Sequence, residues 1–146
     1  MELTALAYLA TVVLSSLLLG SMLFFAAIVA PTVFAVGPAE QSGRLLRALF
    51  PRYYAWGMAL ALPATVAAFR VDGPAAVVLA IVTILFVFLR QILLAFIQSA
   101  RQAHLAGEAG AGRRFKLLHL ASVVLNLAQM VAVAAVIVRV GMLGLR

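Results

Sequence analysis

Long apolar runs separated by short polar segments dominate the sequence and predict membrane-spanning helices. The first run covers residues 3–30 without a charge, which is ~42 Å of helix against ~30 Å of hydrocarbon. Three further apolar runs cover about residues 53–69, 75–98 and 115–138. We therefore expect an all-α fold in which residues 1–146 form a single transmembrane domain, an integral membrane four-helix bundle.

The polar segments predict the connections between these helices. In residues 38–50 the apolar side chains share one helix face and the basic ones point away from it, namely Leu45, Leu46, Leu49 and Phe50 against Arg44 and Arg47. This pattern predicts a short amphipathic interfacial helix between helices 1 and 2. Residues 101–114 are polar and rich in Gly and Ala, which predicts a flexible loop.

The composition excludes a water-soluble fold. Hydrophobic residues make up 66% of the chain and charged residues only 10%, whereas a soluble domain is about half apolar and about a quarter charged. Such a chain has no solvated surface on which its positive charge could bind a nucleic acid. The chain also contains no cysteine, which excludes disulfides, thiolate metal sites and cysteine nucleophiles.

The distribution of basic residues predicts an orientation. Eleven basic and four acidic residues give a net charge of +7. With four spans, most of the basic residues fall in the two longer loops: Arg44, Arg47, Arg52, Arg101, Arg113, Arg114 and Lys116. The other side holds Arg70, Arg139 and Arg146. By the positive-inside rule, the longer loops are cytoplasmic and both termini lie outside the inner (plasma) membrane.

Polar residues inside the predicted spans are the candidate binding groups. Arg90 lies eleven residues before Arg101, hence ~16 Å into the bilayer, where a charge is costly. On the last helix, four polar residues at helical spacing form one polar stripe: His119, Ser122, Asn126 and Gln129. We expect Arg90 to face this stripe, with Asn126 or Gln129 accepting hydrogen bonds from its guanidinium.

Two interpretations of this cluster stay open. Asn, Gln and Ser side chains between membrane helices also serve as interhelical hydrogen-bonding groups that fix the packing. A ligand site is the alternative, because no Asp or Glu inside the membrane neutralises Arg90. The missing counter-ion favours an anionic partner such as a carboxylate, a phosphate, a lipid head group or a haem propionate. A metal site in the protein is not expected, since one intramembrane His lacks further ligands.

Three segments resemble the signature of the transmembrane-protein-205-like family, a largely uncharacterised group of four-helix membrane proteins. They are GSMLFFAAIVAPTVFAV at 20–36, FPRYYAWG at 50–57 and FKLLHLASVVLNLAQM at 115–130. The matching positions are Pro31, Phe34, Phe50, Pro51, Tyr53 and Phe115, together with His119, Ser122 and Asn126. The resemblance covers nearly the whole chain and implies a four-helix bundle and an association with tolerance of toxic metals and drugs.

We therefore expect a protein that binds or transports an anionic or amphipathic small molecule, without a cofactor, and that acts as a carrier and not as an enzyme. Four helices enclose little volume, so a complete pathway is expected to need a homo-oligomer. One alternative is a haem-binding redox enzyme like the HemJ family, which, with the copper-resistance D family, is a distant architectural likeness. In it His119 ligates the iron and Met130 or another subunit supplies the second ligand. A structural partner of a larger membrane complex is the other alternative.

Overall fold

The computed structural model describes residues 2–144 and folds them into four long helices that pack side by side. The helices are α1 (Glu2–Val36), α2 (Ala39–Ala68), α3 (Gly73–Leu105) and α4 (Ala111–Leu143). Only the connecting turns within residues 2–144 are not helical. The predicted all-α class is thus confirmed.

Three of the helices can cross a membrane. By length and apolar composition, α1, α3 and α4 each suffice to span a bilayer, and α2 carries more polar residues at its start. Large hydrophobic side chains cover the outside of the bundle, including Leu6, Ile84 and Val131. A continuous apolar exterior fits contact with lipid and would be unstable in water. The chain is therefore a membrane protein.

The turns between helices have clear sequence causes. Pro38 has no N–H and forces Gly37 into an extended conformation, which ends α1. The Ser42 hydroxyl then donates to the Val33 carbonyl at 2.7 Å, which satisfies a carbonyl in the last turn of α1. At the α3–α4 connection, glycines 107 and 110 both have positive φ angles, which non-glycine residues rarely adopt.

The separate interfacial helix expected over residues 38–50 is not present. Instead α2 runs without a break from Ala39 to Ala68 and contains Pro51 and Pro63 within it. The reason is packing: the buried face continues through the predicted break at helical spacing, with Leu46, Tyr53, Tyr54, Gly57 and Ala61 all buried. The predicted flexible loop is also shorter, because α3 extends to Leu105 and α4 begins at Ala111.

Two π-helical segments interrupt the long helices, at Phe25–Val29 in α1 and at Leu89–Leu93 in α3. The first ends at Val29, two residues before Pro31, which lacks the N–H that the carbonyl four residues earlier would accept. A π segment is a common way to accommodate such a mismatch, and these segments occur often at functional sites. Both segments lie in the same half of the bundle, towards the α1–α2 and α3–α4 connections.

Six basic residues gather at one end of the bundle, because the α1–α2 and α3–α4 connections lie together there: Arg44, Arg47, Arg101, Arg113, Arg114 and Lys116. Arg52, which the sequence assigned to the same loop, lies instead near the middle of α2, beside Tyr53. The Arg101 guanidinium packs directly over Gly43, and the His104 ring packs over Gly112. We call this the basic end. Arg70 and Arg139 lie at the opposite end, and Arg146 falls outside the described residues.

Candidate ligand-binding site

The first element of the site is a cavity of about 190 Å³ between the second half of α1, the first half of α2 and the first half of α4. We call it the inner cavity. Its walls are mostly apolar and aromatic, from residues that include Phe25, Phe34, Leu46, Phe50, Val123 and Leu127. Its polar groups are those of Tyr53, Tyr54, His119, Ser122 and Asn126. An apolar wall with a few convergent polar groups is typical of small-molecule sites.

A second cavity of about 240 Å³ adjoins the first and leads to the basic end. We call it the outer cavity, and both together the cleft. Four residues line both cavities: Phe34, Leu46, Phe50 and His119. The outer cavity adds Gln98 and two arginines, Arg47 of α2 and Arg101 of α3. The cleft therefore passes from two guanidinium groups into an apolar interior.

A hydrogen-bonded pair joins α2 to α4 at the inner cavity. Asn126 Nδ2 donates to the Tyr53 hydroxyl oxygen at 2.9 Å, and that hydroxyl lies 3.2 Å from Asn126 Oδ1. The Phe25 ring of α1 stacks on Tyr53 with a centroid distance of 4.3 Å. Tyr53 thus contacts two other helices, and its orientation in the cavity wall is fixed from both sides.

His119 and Ser122 continue the polar side of the cleft along α4. Ser122 is buried and its hydroxyl donates to the His119 carbonyl at 2.8 Å. The His119 ring is exposed and stacks on Phe115, one turn earlier, with a centroid distance of 6.2 Å. Among residues 2–144 no hydrogen bond of the His119 ring occurs, so the imidazole is free to contact a ligand in either cavity.

Gln129 lies beyond the cleft and serves a different purpose. Its side chain is 1% exposed, and Nε2 donates to the Val82 carbonyl of α3 at 3.1 Å. Within the described part of the chain, Gln129 Oε1 has no partner. Gln129 therefore matches the interhelical interpretation of the polar stripe, and the part of the stripe that lines the cleft is His119, Ser122 and Asn126.

Arg90 does not join the other predicted site residues. It is half-buried in the π segment of α3 and lines neither cavity. In the region that the structure describes, it has no hydrogen bond to Asn126 or Gln129, which pair with Tyr53 and Val82. Because Val82 opposes Gln129, Arg90 lies eight residues, ~12 Å, further along α3 and cannot reach Gln129. Asn126 is closer in height but is paired with Tyr53 of α2.

Sequence reasoning used Arg47 and Arg101 for the amphipathic pattern, the membrane depth and the orientation, and missed them as site residues. A Cβ atom at Gly43 would lie 2.8 Å from a guanidinium nitrogen of Arg101, so the absent side chain makes room for this arginine. Gly43 on α2 is the sequence signal that could have suggested the contact, because a glycine leaves room for a long side chain such as Arg101 from a neighbouring helix. Tyr54 and Phe25 were missed as well, because aromatic residues in apolar runs usually indicate packing.

The residues that carried the family resemblance converge on the cleft. Phe34, Phe50 and Tyr53 line the inner cavity, and Phe115 lines the outer one. Pro31 and Pro51 lie outside the walls and act on the backbone: Pro31 follows the π segment of α1, and Pro51 lies within α2 beside Phe50. The resemblance was thus carried by residues from α1, α2 and α4 that are far apart in the sequence.

Acidic and histidine side chains are sparse around the cleft. Over residues 2–144, no group of three or more His, Cys, Asp or Glu side chains comes close enough to hold a metal ion. None of the four acidic residues of the chain lines either cavity. The positive charge of Arg47 and Arg101 is therefore not neutralised by a carboxylate in the cleft walls.

Comparison with known proteins identifies a family whose function is unknown. A family model described as a domain of unknown function, DUF4149, matches residues 13–109. This is most of the 146 residues, and the chain belongs to that family. No curated protein and no solved structure matches the chain. The matched segment contains Arg47, Tyr53 and Arg101 but ends before the polar stripe on α4.

Proposed function

We propose that this member of the DUF4149 family binds an amphipathic small anion in the cleft, as a carrier of such molecules in the membrane. The anionic group would lie at Arg47 and Arg101, and the apolar part would extend into the inner cavity. If the ligand is a toxic compound, this activity would account for the tolerance implied by the resemblance to the transmembrane-protein-205-like family.

One observation supports the proposal above the others: the cleft is apolar and aromatic inside and has two arginines at one end. Arginine presents a fork of N–H donors that matches carboxylate and phosphate groups. Charge-assisted hydrogen bonds to such groups are about twice as strong as neutral ones. An apolar ligand would leave the arginines unused, and a small inorganic anion would leave the aromatic interior unused.

Several finer features belong to the same proposal. We take α2 as the fourth span, since it packs between α1 and α3 along its length. We place the basic end in the cytoplasm and both termini on the outer side of the inner membrane, in accordance with the positive-inside rule. A homo-oligomer would supply the rest of a pathway that one small bundle cannot enclose.

The binding test uses a fatty acid with a terminal dansyl group, added to the protein in nanodiscs of zwitterionic lipid. We expect saturable binding that Arg47→Gln or Arg101→Gln weakens about 10-fold or more, since a hydrogen bond to a charged group contributes about 1.5–3 kcal/mol. Arg44→Gln is the matched control, because Arg44 is exposed at the same end and lines neither cavity. Equal weakening by all three changes would indicate unspecific charge attraction and refute the proposal.

The haem-binding alternative keeps one supporting observation, the exposed His119 ring in the cleft wall with two arginines that could hold propionates. Met130 of the same chain cannot be the second axial ligand. It lies eleven residues further along α4, ~16 Å away, and is buried in the core. A Soret band in the purified protein that disappears in His119→Ala would support haem binding and displace the carrier proposal.

The third candidate, a structural subunit of a larger complex, rests on the interhelical bonds Asn126–Tyr53 and Gln129–Val82. Such bonds fix helix packing whether or not a ligand binds. If no fatty acid binds and the protein copurifies in a fixed ratio with a second membrane protein, this candidate gains over the carrier.

A further inference from the structure

The two halves of α1 pack on different neighbours. From Glu2 to Phe24 the helix packs along both α2 and α4, whereas Ala30–Val36 packs on α2. The change occurs at the π segment Phe25–Val29. Towards the basic end, α1 therefore leaves the surface of α4, and the inner cavity occupies the space between them.

The inner cavity opens sideways at this place. Its α1 wall includes Ala26 and Ala30, and its α4 wall includes Val123 and Leu127. Ala26, Val123 and Leu127 are exposed on the apolar exterior of the bundle. Small side chains on α1 leave the gap unfilled, so the cavity is accessible from the hydrocarbon of the surrounding leaflet.

The opening lies at the level of the lipid acyl chains, below the level of the head groups. Val123 and Leu127 lie seven and eleven residues after Lys116, the last basic residue before the apolar part of α4. At 1.5 Å per residue, these positions are ~10–16 Å below the basic surface. Arg47 and Arg101 line the cleft nearer that surface. A single-chain lipid with its anionic group at the arginines would place its chain at this depth.

The volumes support the same occupant. Neither cavity alone reaches the ~300 Å³ at which small-molecule sites usually begin, but the two adjoining cavities together do. A ligand that uses both must be narrow enough to pass the shared wall of Phe34 and Phe50. A flexible, unbranched acyl chain suits such a passage.

We propose that the gap between α1 and α4 is a lateral portal through which a single-chain anionic lipid of the leaflet at the basic end inserts its acyl chain into the inner cavity. This proposal rests on the proposed function, because the same two arginines hold the head group. It adds that the ligand reaches the cleft from the bilayer and not from water.

The test is photolabelling with a fatty acid that carries a diazirine near the end of its chain, in nanodiscs of zwitterionic lipid. Tyr54 is 3% exposed and lines the inner cavity, so a chain outside the bundle cannot label it. We expect label on Tyr54 itself, and not only on exposed neighbours such as Trp56 in the same peptide. Label confined to exposed positions on the outer surface would overturn the portal.

A variant that fills the portal makes the test specific. Ala26→Phe should reduce labelling of Tyr54 at least 10-fold, and Ala27→Phe, a neighbouring exposed alanine that does not line the cavity, should leave it unchanged. If Ala26→Phe does not fold, Val123→Phe with Val124→Phe as control repeats the comparison from α4, since Val124 is exposed and outside the cavity wall.

The outcomes separate the two proposals. Undiminished labelling in both Ala26→Phe and Val123→Phe, together with loss of labelling in Arg101→Gln, would overturn the portal and leave anion binding in place. Absence of labelling and of saturable binding in the unchanged protein would overturn both. Loss of labelling in Ala26→Phe with normal melting and normal labelling in Ala27→Phe would support the portal.

Discussion

Arg139 of α4 and Asp72, the residue before α3, form a two-point ion pair at the end opposite the cleft. Arg139 Nε lies 2.6 Å from Asp72 Oδ2, and Nη2 lies 3.0 Å from Oδ1. The Asp72 carboxylate also accepts from the Ala75 backbone N–H at 2.9 Å, so it caps α3. The Asp72 side chain thus caps the N-terminus of α3 and links α3 to α4 through the ion pair.

This pair predicts a pH dependence of stability. The hydrogen bond from Arg139 holds the pKa of Asp72 below its ordinary value. Because the folded state favours the ionised carboxylate, the stabilisation is complete above the unfolded-state pKa of ~3.9 and is lost as the pH falls through the lower folded-state pKa. We expect Asp72→Asn to lower the melting temperature at pH 7.

The check is a series of melting temperatures in detergent from neutral to acidic pH. Asp72→Asn keeps a good helix cap and removes the charge, so the gap between wild type and variant should close in acid. Asp72→Ala, which also removes the cap, should stay below wild type at every pH. A gap for Asp72→Asn that is constant with pH would contradict the ion-pair argument.

The contact between Gly57 of α2 and Phe86 of α3 predicts a second effect on stability. A Cβ atom at Gly57 would lie 2.5 Å from the Phe86 ring, which is wholly buried. We expect Gly57→Ala to destabilise the protein by about 1–3 kcal/mol through overpacking. Gly20→Ala is the control, since nothing lies within 4 Å of its Cβ position, and it should stabilise α1 slightly. Equal melting temperatures for the two variants would contradict the close packing of Gly57 against Phe86.

The Tyr53–Asn126 pair predicts energetic coupling between α2 and α4. Tyr53→Phe removes the hydroxyl and leaves Asn126 without its partner, which should lower the free energy of unfolding by about 0.5–1.5 kcal/mol. After Asn126→Leu, the same Tyr53→Phe change should have a much smaller effect, because the bond is already absent. A double-mutant cycle measured by unfolding in mixed micelles tests this. Additive effects would mean that the two side chains do not interact.

The sequence predicted the helices well because apolar runs in a membrane protein reflect solvent contact directly. The prediction was wrong between Leu46 and Tyr53. Local amphipathicity suggested that a short helix ends there, whereas the buried face of α2 continues through this stretch. Local patterns cannot show a continuous contact with two other helices. The same limitation explains why the predicted contact of Arg90 with the polar stripe is absent. A depth counted from loop charges has an error of several residues, and a helix makes a full turn in fewer than four residues, so the predicted facing of Arg90 was uncertain by a whole turn.

The polar stripe was predicted as one group and is divided by packing. His119, Ser122 and Asn126 reach the cleft, because α1 leaves α4 at this level, whereas Gln129 lies where the helices close and is buried against α3. Periodicity correctly placed these residues along one helix. It could not indicate where the neighbouring helix bends away, which depends on the π segment before Pro31.

The orientation prediction is tested with reporters at the C-terminus. A reporter that is active only outside the cytoplasm, fused after residue 146, should be active, since six basic residues lie at the basic end and few at the other. A cytoplasmic reporter fused at the same position should be silent and should work when inserted in the α3–α4 connection. The reverse pattern at both positions would invert the topology and place the cleft mouth outside.

The last prediction separates Arg90 from the cleft arginines. Arg90 is half-buried at membrane depth, lines neither cavity and, among the described residues, has no hydrogen-bond partner. Replacing an unpaired intramembrane charge by a neutral amide removes a desolvation penalty. Arg90→Gln should therefore melt at the same or a higher temperature and bind the dansyl fatty acid as wild type does, in contrast to Arg101→Gln. If Arg90→Gln instead abolishes binding while it melts normally, the anionic group lies at Arg90, and the ligand enters the bundle from the α3 side.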